Sequence, residues 1–183
     1  KLLFQKLNQL KKKKTLIDLG AELIEVNAVP YSNPNNYIKQ SKKIADDLSR
    51  SNKNGVLWAN QFDNIMNSEA HIQTTAKEIW NQTAGQVHGF VCSVGTGGTL
   101  AGVSIGLKER NKDIKIALAD PMGSSLYSHV KFKKLENSGN SITEGIGTGR
   151  ITKNFEKALV DSAFQITDEE ALNYDALANT DDE

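Results

Sequence analysis

The sequence predicts an α/β sandwich built around a parallel β-sheet, and three features of the chain support this fold class. Short apolar runs of strand length alternate with segments of helical period, which is the pattern of βαβ units. A segment rich in glycine and threonine joins one apolar run to the helical segment that follows it. No internal repeat or low-complexity linker interrupts the alternation. We therefore expect strands and helices to alternate in layers along the chain.

The elements are assigned in chain order. The chain opens with a helical-looking stretch from Leu2 to Leu19. The predicted strands are short and apolar, and they are Glu22–Val29, Gly55–Ala59, Gly89–Val94, Ile114–Ala119 and Ala163–Ile166. The other predicted helices, identified by the spacing of their apolar residues, are Asn35–Arg50, Glu69–Gln82 and Thr99–Arg110.

Composition restricts the class of partner. The chain of 183 residues carries 22 Lys and Arg against 22 Asp and Glu, so its formal net charge is zero and favours neither nucleic acid nor an anionic membrane. The run Lys11–Lys14 is interpreted as the solvent-facing side of a helix. Cys92 is the single cysteine, and no apolar stretch reaches the roughly 18 residues that span a bilayer. We expect a small-molecule partner and a reducing, soluble compartment.

The segment Gly95–Thr99, GTGGT, is the strongest functional signal. It lies between the apolar strand that ends at Val94 and the helix that begins near Leu100. A helix N-terminus has unpaired N–H groups and a partial positive charge, so such a loop can bind a phosphate dianion without lysine or arginine. Glycine lets the backbone approach the ligand closely, and the hydroxyls of Thr96 and Thr99 add donors.

Two other interpretations of this loop stay open. The first is a tight turn that uses glycine only for its backbone freedom. The second is a dinucleotide site, because Asp120 closes the next strand where a ribose-binding acid would lie. The dinucleotide fingerprint fails at its third glycine, however, since Leu100 occupies that position. No Walker lysine follows either, which disfavours a triphosphate loop.

Four motifs in chain order give a resemblance to a known family. GTGGTLAG follows an apolar strand, and three further segments accompany it: NQF at Asn60–Phe62, HIQTTAKEIW at His71–Trp80 and SITEGIG at Ser141–Gly147. Together they resemble the cysteine synthase family, from about Gly20 to Ala171. The resemblance implies a three-layer fold of type II among enzymes that use pyridoxal 5'-phosphate (PLP), with the large domain and part of the small one present.

The resemblance also implies roles for the matching residues. Gly95, Thr96, Gly97, Gly98 and Thr99 would bind the PLP phosphate. Gln61 and Phe62 would line the substrate side, with Gln61 near the amino-acid carboxylate, and Gly145 and Ile146 would place backbone against cofactor and substrate. Residues 1–62 would be the C-terminal part of the small mobile domain, and residues 63–183 the incomplete large domain. The resemblance further implies a homodimer and a cytoplasmic location, with the mitochondrion as an open alternative.

The implied reaction replaces the acetate of O-acetylserine by sulfide and needs a lysine that forms a Schiff base with PLP. In the family this lysine lies in an SxKDR-like segment upstream of every motif found here, and this chain contains no Lys-Asp-Arg. We therefore expect a chain cut at both ends and assign the catalytic role to no residue. A non-catalytic homologue remains an alternative, and cystathionine β-synthase and serine dehydratase are not distinguished from cysteine synthase.

The remaining reactive residues suggest no second centre. NSGNS at Asn137–Ser141 imitates the family's substrate-carboxylate loop, but its position and composition favour a surface turn. The three histidines lack partners at metal-ligand spacing, and His71 is expected to head a helix in a structural role. Cys92 lies inside an apolar strand, where a buried, inert thiol is expected.

Overall fold

The computed structural model of the chain describes residues 2–5 and 10–171, without the side chains of residues 2–5, 10 and 11. The chain divides into two compact units, Lys1–Asn60 and Gln61–Glu183. The polar segment after Ala171, expected to depart from the family's apolar helix, lies outside the described residues.

The first unit begins with a parallel strand pair. Strand β1, Leu2–Gln5, pairs with β2, Leu23–Val26, and helix α1, Leu10–Asp18, connects them. The prediction of one helix from Leu2 to Leu19 is therefore wrong over its first turn. The physical reason is that pairing with β2 satisfies the backbone of Leu2–Gln5, and such tertiary pairing overrides a weak helical preference. In the lysine run, Lys12 and Lys14 are exposed as expected.

Helix α2, Tyr37–Ser51, begins two residues after its predicted start because Asn36 caps it. The Asn36 side chain accepts a hydrogen bond from the Ile38 N–H at 3.1 Å and donates one to the Val29 carbonyl at 2.9 Å, which fixes the turn into the helix. The predicted strand Gly55–Ala59 is wrong, since no described strand pairs with it. Its Trp58 indole instead donates to the Ser41 hydroxyl of α2 at 3.1 Å.

The second unit holds the predicted parallel sheet. Strands β3, Gly89–Cys92, β4, Lys115–Pro121, and β5, Ser162–Ile166, lie in the order β3-β4-β5. Its helices are α3 (Met66–Gln73), α4 (Thr75–Gln82), α5 (Gly98–Lys108) and α6 (Leu126–Phe132), with a 3-10 turn at Phe155–Lys157. The predicted helix Glu69–Gln82 is two helices that meet at Thr74 (φ −116°, ψ −77°). Helix α6 and the 3-10 turn were not predicted.

The core lies on one face of this sheet. Ile116 and Leu118 of β4 are fully buried together with Leu100 and Leu107 of α5 and Leu126 of α6. On the alternate positions, Val91 of β3 is 62% exposed and Phe164 of β5 is 54% exposed. Within the described part of the chain, no helix is long and apolar enough to cross a membrane.

The sheet fixes where a site can form. In a parallel sheet all strands end at the same edge, and ligands bind in the crevice outside those ends. The segment 93–97 follows β3 at this edge, and Met122–Ser125 follows β4. The GTGGT loop therefore lies where the fold class places ligands.

Candidate functional site

The GTGGT loop forms the N-terminus of helix α5. Gly97 is the residue before the helix and has φ +88°, a left-handed conformation that glycine adopts without steric cost. The N-cap residue Gly97 has no side chain that could cap the helix. Two of the first residues of α5, Gly98 and Leu100, are buried, so the helix end is fixed in the interior of the unit.

The backbone amides of the loop meet the requirement of an anion site. Within residues 2–5 and 10–171, the N–H groups of Thr96, Gly97 and Thr99 have no hydrogen-bond acceptor. Only the Gly98 N–H is bonded, to the Thr96 hydroxyl at 3.3 Å. Unbonded amides at a helix N-terminus, beside the positive end of its dipole, are the groups that bind phosphate. The residues present therefore fit the phosphate of PLP.

Two glycines of the loop are required by what surrounds them. A Cβ on Gly95 would lie 2.2 Å from the Gly145 carbonyl oxygen, so no side chain fits between these two backbones. A Cβ on Gly97 would lie 2.9 Å from the backbone nitrogen of Phe155. Close packing therefore requires glycine at these positions in addition to turn geometry. The plain-turn interpretation explains only the turn geometry.

Both threonine hydroxyls of the loop have partners within the protein. The Asn67 amide donates to the Thr96 hydroxyl at 2.9 Å, and the Thr152 hydroxyl donates to the Thr96 carbonyl at 2.7 Å. The Thr99 hydroxyl lies 3.1 Å from Nε2 of His71. The Thr96 hydroxyl accepts in both of its bonds within the protein, from Asn67 and from the Gly98 N–H, so the expectation that it donates to the ligand stays a prediction.

His71 lies in the last turn of α3 rather than at the head of a helix, which corrects the expectation for its position. Its Nδ1 lies 2.9 Å from the Thr75 hydroxyl, and its Nε2 contacts Thr99. The expected structural role is supported by these two bonds, which join α3, α4 and α5. The sequence did not reveal the contact with the loop.

The second predicted segment, Gly145 and Ile146, lies beside the GTGGT loop. The Gly147 N–H donates to the Val94 carbonyl at 2.7 Å, directly before Gly95. Further along, the Thr148 N–H donates to the Ser124 hydroxyl at 3.0 Å. The structure therefore brings Gly145 against Gly95, although 50 residues separate them in sequence.

The predicted substrate-side residues, Gln61 and Phe62, are held by their backbone. The Asn154 amide donates to both of their carbonyls, at 3.1 Å and 2.8 Å, and Asn67 donates to the Gln61 carbonyl at 2.8 Å. Gln61 is exposed and Phe62 is half-buried. Because Asn67 bonds both Gln61 and Thr96, it links the substrate-side segment to the GTGGT loop.

A polar cavity of about 250 Å³ opens between the segment after β4 and the loop before Arg150. Of the predicted site residues it includes only Ile146. Hydroxyls and backbone groups dominate its wall, which is formed by Pro121, Met122, Gly123, Ser124, Asn140, Ser141, Thr143, Ile146, Gly147, Thr148 and Gly149.

Asp120 argues against the dinucleotide interpretation. Its carboxylate is fully buried and accepts a hydrogen bond from the Tyr127 N–H of α6 at 2.7 Å. Burial raises the pKa of the Asp120 carboxyl, and the bond from Tyr127 opposes this rise. An acid buried against a helix N-terminus is not placed to bind a ribose.

Cys92 and the NSGNS segment are the other reactive features of the sequence, and Cys92 is less buried than expected. Cys92 is half-buried, and burial raises the pKa of its thiol, which disfavours a reactive thiolate. The segment 137–140 is exposed and irregular, with Gly139 at φ +68°, as a surface turn requires. The described residues contain no group of three or more His, Cys, Asp or Glu that could hold a metal ion.

Fold and site together define a class of protein: a parallel α/β domain in which, among the described residues, amides of a glycine-rich loop at the carboxyl edge of the sheet have no acceptor. Comparison with known proteins makes the class specific. The family model described as pyridoxal-phosphate dependent enzyme matches residues 5–179, and the chain belongs to this family. The expected α/β fold and PLP as the family's cofactor are thereby confirmed.

The similar proteins are cysteine synthases and a related enzyme. Cysteine synthase 1 of Neurospora crassa is 48% identical over 159 residues, which are 84% of this chain and 41% of that protein. Cysteine synthase 1 of Emericella nidulans is 46% identical over 84% of this chain and 42% of its own length. The crystal structure of O-acetylserine dependent cystathionine beta-synthase from Helicobacter pylori matches with a TM-score of 0.72 at 30% identity, covering 94% of this chain and 52% of that one. The resemblance to cysteine synthases is confirmed, and the chain spans less than half of the length of these curated relatives.

Proposed function

We propose that this chain provides the cofactor-phosphate site of a cysteine synthase-type enzyme, which converts O-acetylserine and sulfide to cysteine and acetate. The observation that carries the proposal is the set of unbonded amides at Thr96, Gly97 and Thr99, at the N-terminus of α5. Peptide dipoles in a half-buried loop need no rearrangement when a dianion binds, so they hold it firmly without a cationic side chain.

The other predicted site residues take roles that fit their geometry. Gly95 and Gly98 complete the phosphate loop by allowing its close packing. Gly145 and Ile146 bring backbone next to that loop, where they would contact cofactor and amino acid. Gln61 and Phe62 would bind the amino-acid substrate, with the Gln61 side chain directed to its carboxylate. When bound, PLP supplies an electron sink for bond breaking at the α-carbon of the substrate.

The proposal extends to organisation and location. Residues 1–62 would belong to the small domain and residues 63–183 to the large domain. The natural protein would be a homodimer in the cytoplasm, and the lone Cys92 accords with a reducing compartment. Sedimentation of the purified protein tests the dimer, and fractionation of source cells tests the location.

The reaction is tested on the intact natural protein that contains this chain. It is supplied with O-acetylserine and sulfide, with serine and homocysteine, and with serine alone, and the products are measured. Cysteine and acetate should form in equal amounts from the first pair at the highest kcat/KM. Cystathionine or pyruvate as the main product would reassign the substrate, and no product from any mixture would leave only a non-catalytic homologue.

Cofactor binding is tested separately from turnover. PLP should bind this chain more tightly than pyridoxal, which lacks the phosphate, and inorganic phosphate should compete with PLP. Equal affinity for PLP and pyridoxal in a calorimetric titration would contradict the assigned phosphate site.

A further inference from the structure

Arg150 and Asp63 form an ion pair next to the candidate site. The two terminal guanidinium nitrogens of Arg150, Nη1 and Nη2, donate to the two carboxylate oxygens of Asp63 at 3.0 and 2.9 Å. The Lys153 N–H also donates to Asp63, at 3.1 Å. Both side chains are about four-fifths buried, with 20% and 19% of their surface exposed. A two-bond pair of this kind fixes orientation as well as distance.

The pair controls the segment that carries the predicted substrate residues. Asp63 directly follows Phe62, and the Arg150 guanidinium lies 5.6 Å from the centre of the Phe62 ring, within the range of a cation–π contact. Burial alone raises the pKa of Asp63, but the bonds and charges of Arg150 and Lys153 outweigh it and hold that pKa below its usual value. The Asp63 carboxylate is therefore charged and bonded at neutral pH.

Through Arg150, the ion pair is also connected to the loop that contains Gly145 and Ile146. Arg150 lies five residues after Gly145, and the bonds of Gly147 and Thr148 tie that loop to the carboxyl edge of the sheet. The described contacts of Asp63 thus join Phe62 to a loop that itself packs against Gly95.

We propose that Arg150 and Asp63 are positioning residues that hold Gln61 and Phe62 in register with the Gly145–Ile146 loop and so preform the amino-acid site. This proposal rests on the function proposed above. Loss of one partner removes the two-bond contact from a charge that is about four-fifths buried, which costs more than the pair itself contributes. The phosphate loop has contacts of its own with Asn67 and Thr152, and these contacts do not include the side chains of Arg150 and Asp63.

The test compares Arg150→Met, Arg150→Lys and Asp63→Asn in the intact natural protein. The Met and Asn variants should raise KM for the amino-acid substrate about tenfold, since a displaced substrate contact loses both binding and alignment, while affinity for PLP stays within about twofold. Arg150→Lys keeps the charge but not the two-bond geometry, so it should fall between wild type and Arg150→Met. Hydrogen exchange of the 61–64 amides should accelerate in the Met and Asn variants, which is a readout independent of activity.

Lys108→Met is the matched control. Lys108 pairs with Asp161 at 2.8 Å and is 16% exposed, similar to Arg150, but the pair lies at the C-terminal end of α5. Its loss should affect thermal stability and leave KM and exchange at 61–64 unchanged.

The possible outcomes separate this proposal from the proposed function. An unchanged KM, or KM and PLP affinity that worsen in parallel, overturns the positioning role and leaves an ordinary structural ion pair. If the wild-type protein turns over none of the substrates, the proposed reaction is wrong. Hydrogen exchange of the 61–64 amides then tests the positioning role by itself, and equal exchange rates in wild type and Arg150→Met would overturn that role.

Discussion

The two loops that meet at the candidate site are built in opposite ways. In the Gly95–Thr99 loop, glycine packing and the side chains of Asn67 and Thr152 fix the path of the backbone, and the amides of Thr96, Gly97 and Thr99 have no acceptor among the described residues. In the loop from Gly145 to Lys153, four amides donate hydrogen bonds within the protein, and they are those of Gly147, Thr148, Arg150 and Lys153. The first loop therefore presents unbonded amides at a helix N-terminus, whereas four amides of the second loop are already bonded within the protein.

Replacing the left-handed glycine is expected to have the largest effect. In Gly97→Ala, the new Cβ meets the Phe155 backbone and the residue is held at φ +88°, so we expect about 1–3 kcal/mol of lost stability. PLP affinity should fall about 100-fold, because at least two charge-assisted bonds lose their geometry. Thermal unfolding and calorimetry measure the two effects.

Gly149→Ala is the matched control in the other loop. Apart from its chain neighbours, no atom of the residues that the structure describes lies within 4 Å of the position of its Cβ, and its φ is outside the left-handed range. It should change neither stability nor PLP affinity measurably. Equal effects of the two variants would mean that the two loops do not differ as described.

A smaller effect is expected on the pH dependence of stability, through the ion pair between Asp63 and Arg150 of the second loop. Because the folded-state pKa of Asp63 is below its usual value, its ion pair stabilises the fold at pH above about 4 and this contribution is lost as pH falls through the folded pKa. Asp63→Asn should therefore be less stable than wild type at pH 7, by about 1–2 kcal/mol for a pair that is largely but not fully buried. The difference should shrink below pH 4 in denaturant titrations, and a difference that is constant with pH would exclude this charge as its source.

The sequence predicted the parts of the site that depend on local chemistry. The position of the GTGGT loop follows from local sequence, because a glycine-rich segment between an apolar strand and a helix is typical of a tight turn. The apolar strands β3, β4 and β5 were likewise predicted close to their observed bounds. The roles of Asn67, Thr152 and Asn154 could not be found in this way. Each contact joins residues that are 29 to 93 positions apart in sequence, and nothing local to them indicates a partner.

One sequence signal could have indicated the packing around the loop. Gly98, Gly102 and Gly106 recur at every fourth position of α5, which allows another helix to approach closely. A Cβ on Gly102 would lie 2.4 Å from the Ser68 carbonyl and 2.5 Å from Cβ of His71. Polar residues of the facing helix α3, among them Asn67 and His71, are therefore the ones that reach the loop.

The errors in the first unit have a different origin. Leu2–Gln5 and Gly55–Ala59 are short apolar runs, and such runs form a strand only where another strand offers a partner. Leu2–Gln5 finds that partner in β2, whereas Gly55–Ala59 lies beside α2 and leaves Leu57 90% exposed.

The central claim is that backbone amides before α5 bind a phosphate group, and NMR of the isotopically labelled chain tests it most directly. On titration with inorganic phosphate and then with PLP, the amide resonances of Thr96, Gly97 and Thr99 should shift together and saturate, while those of Gly147 and Thr148 stay in place. Pyridoxal should not reproduce the shifts. If the three loop resonances do not respond, or if the response is confined to the Gly145–Lys153 loop, the account of this site is contradicted.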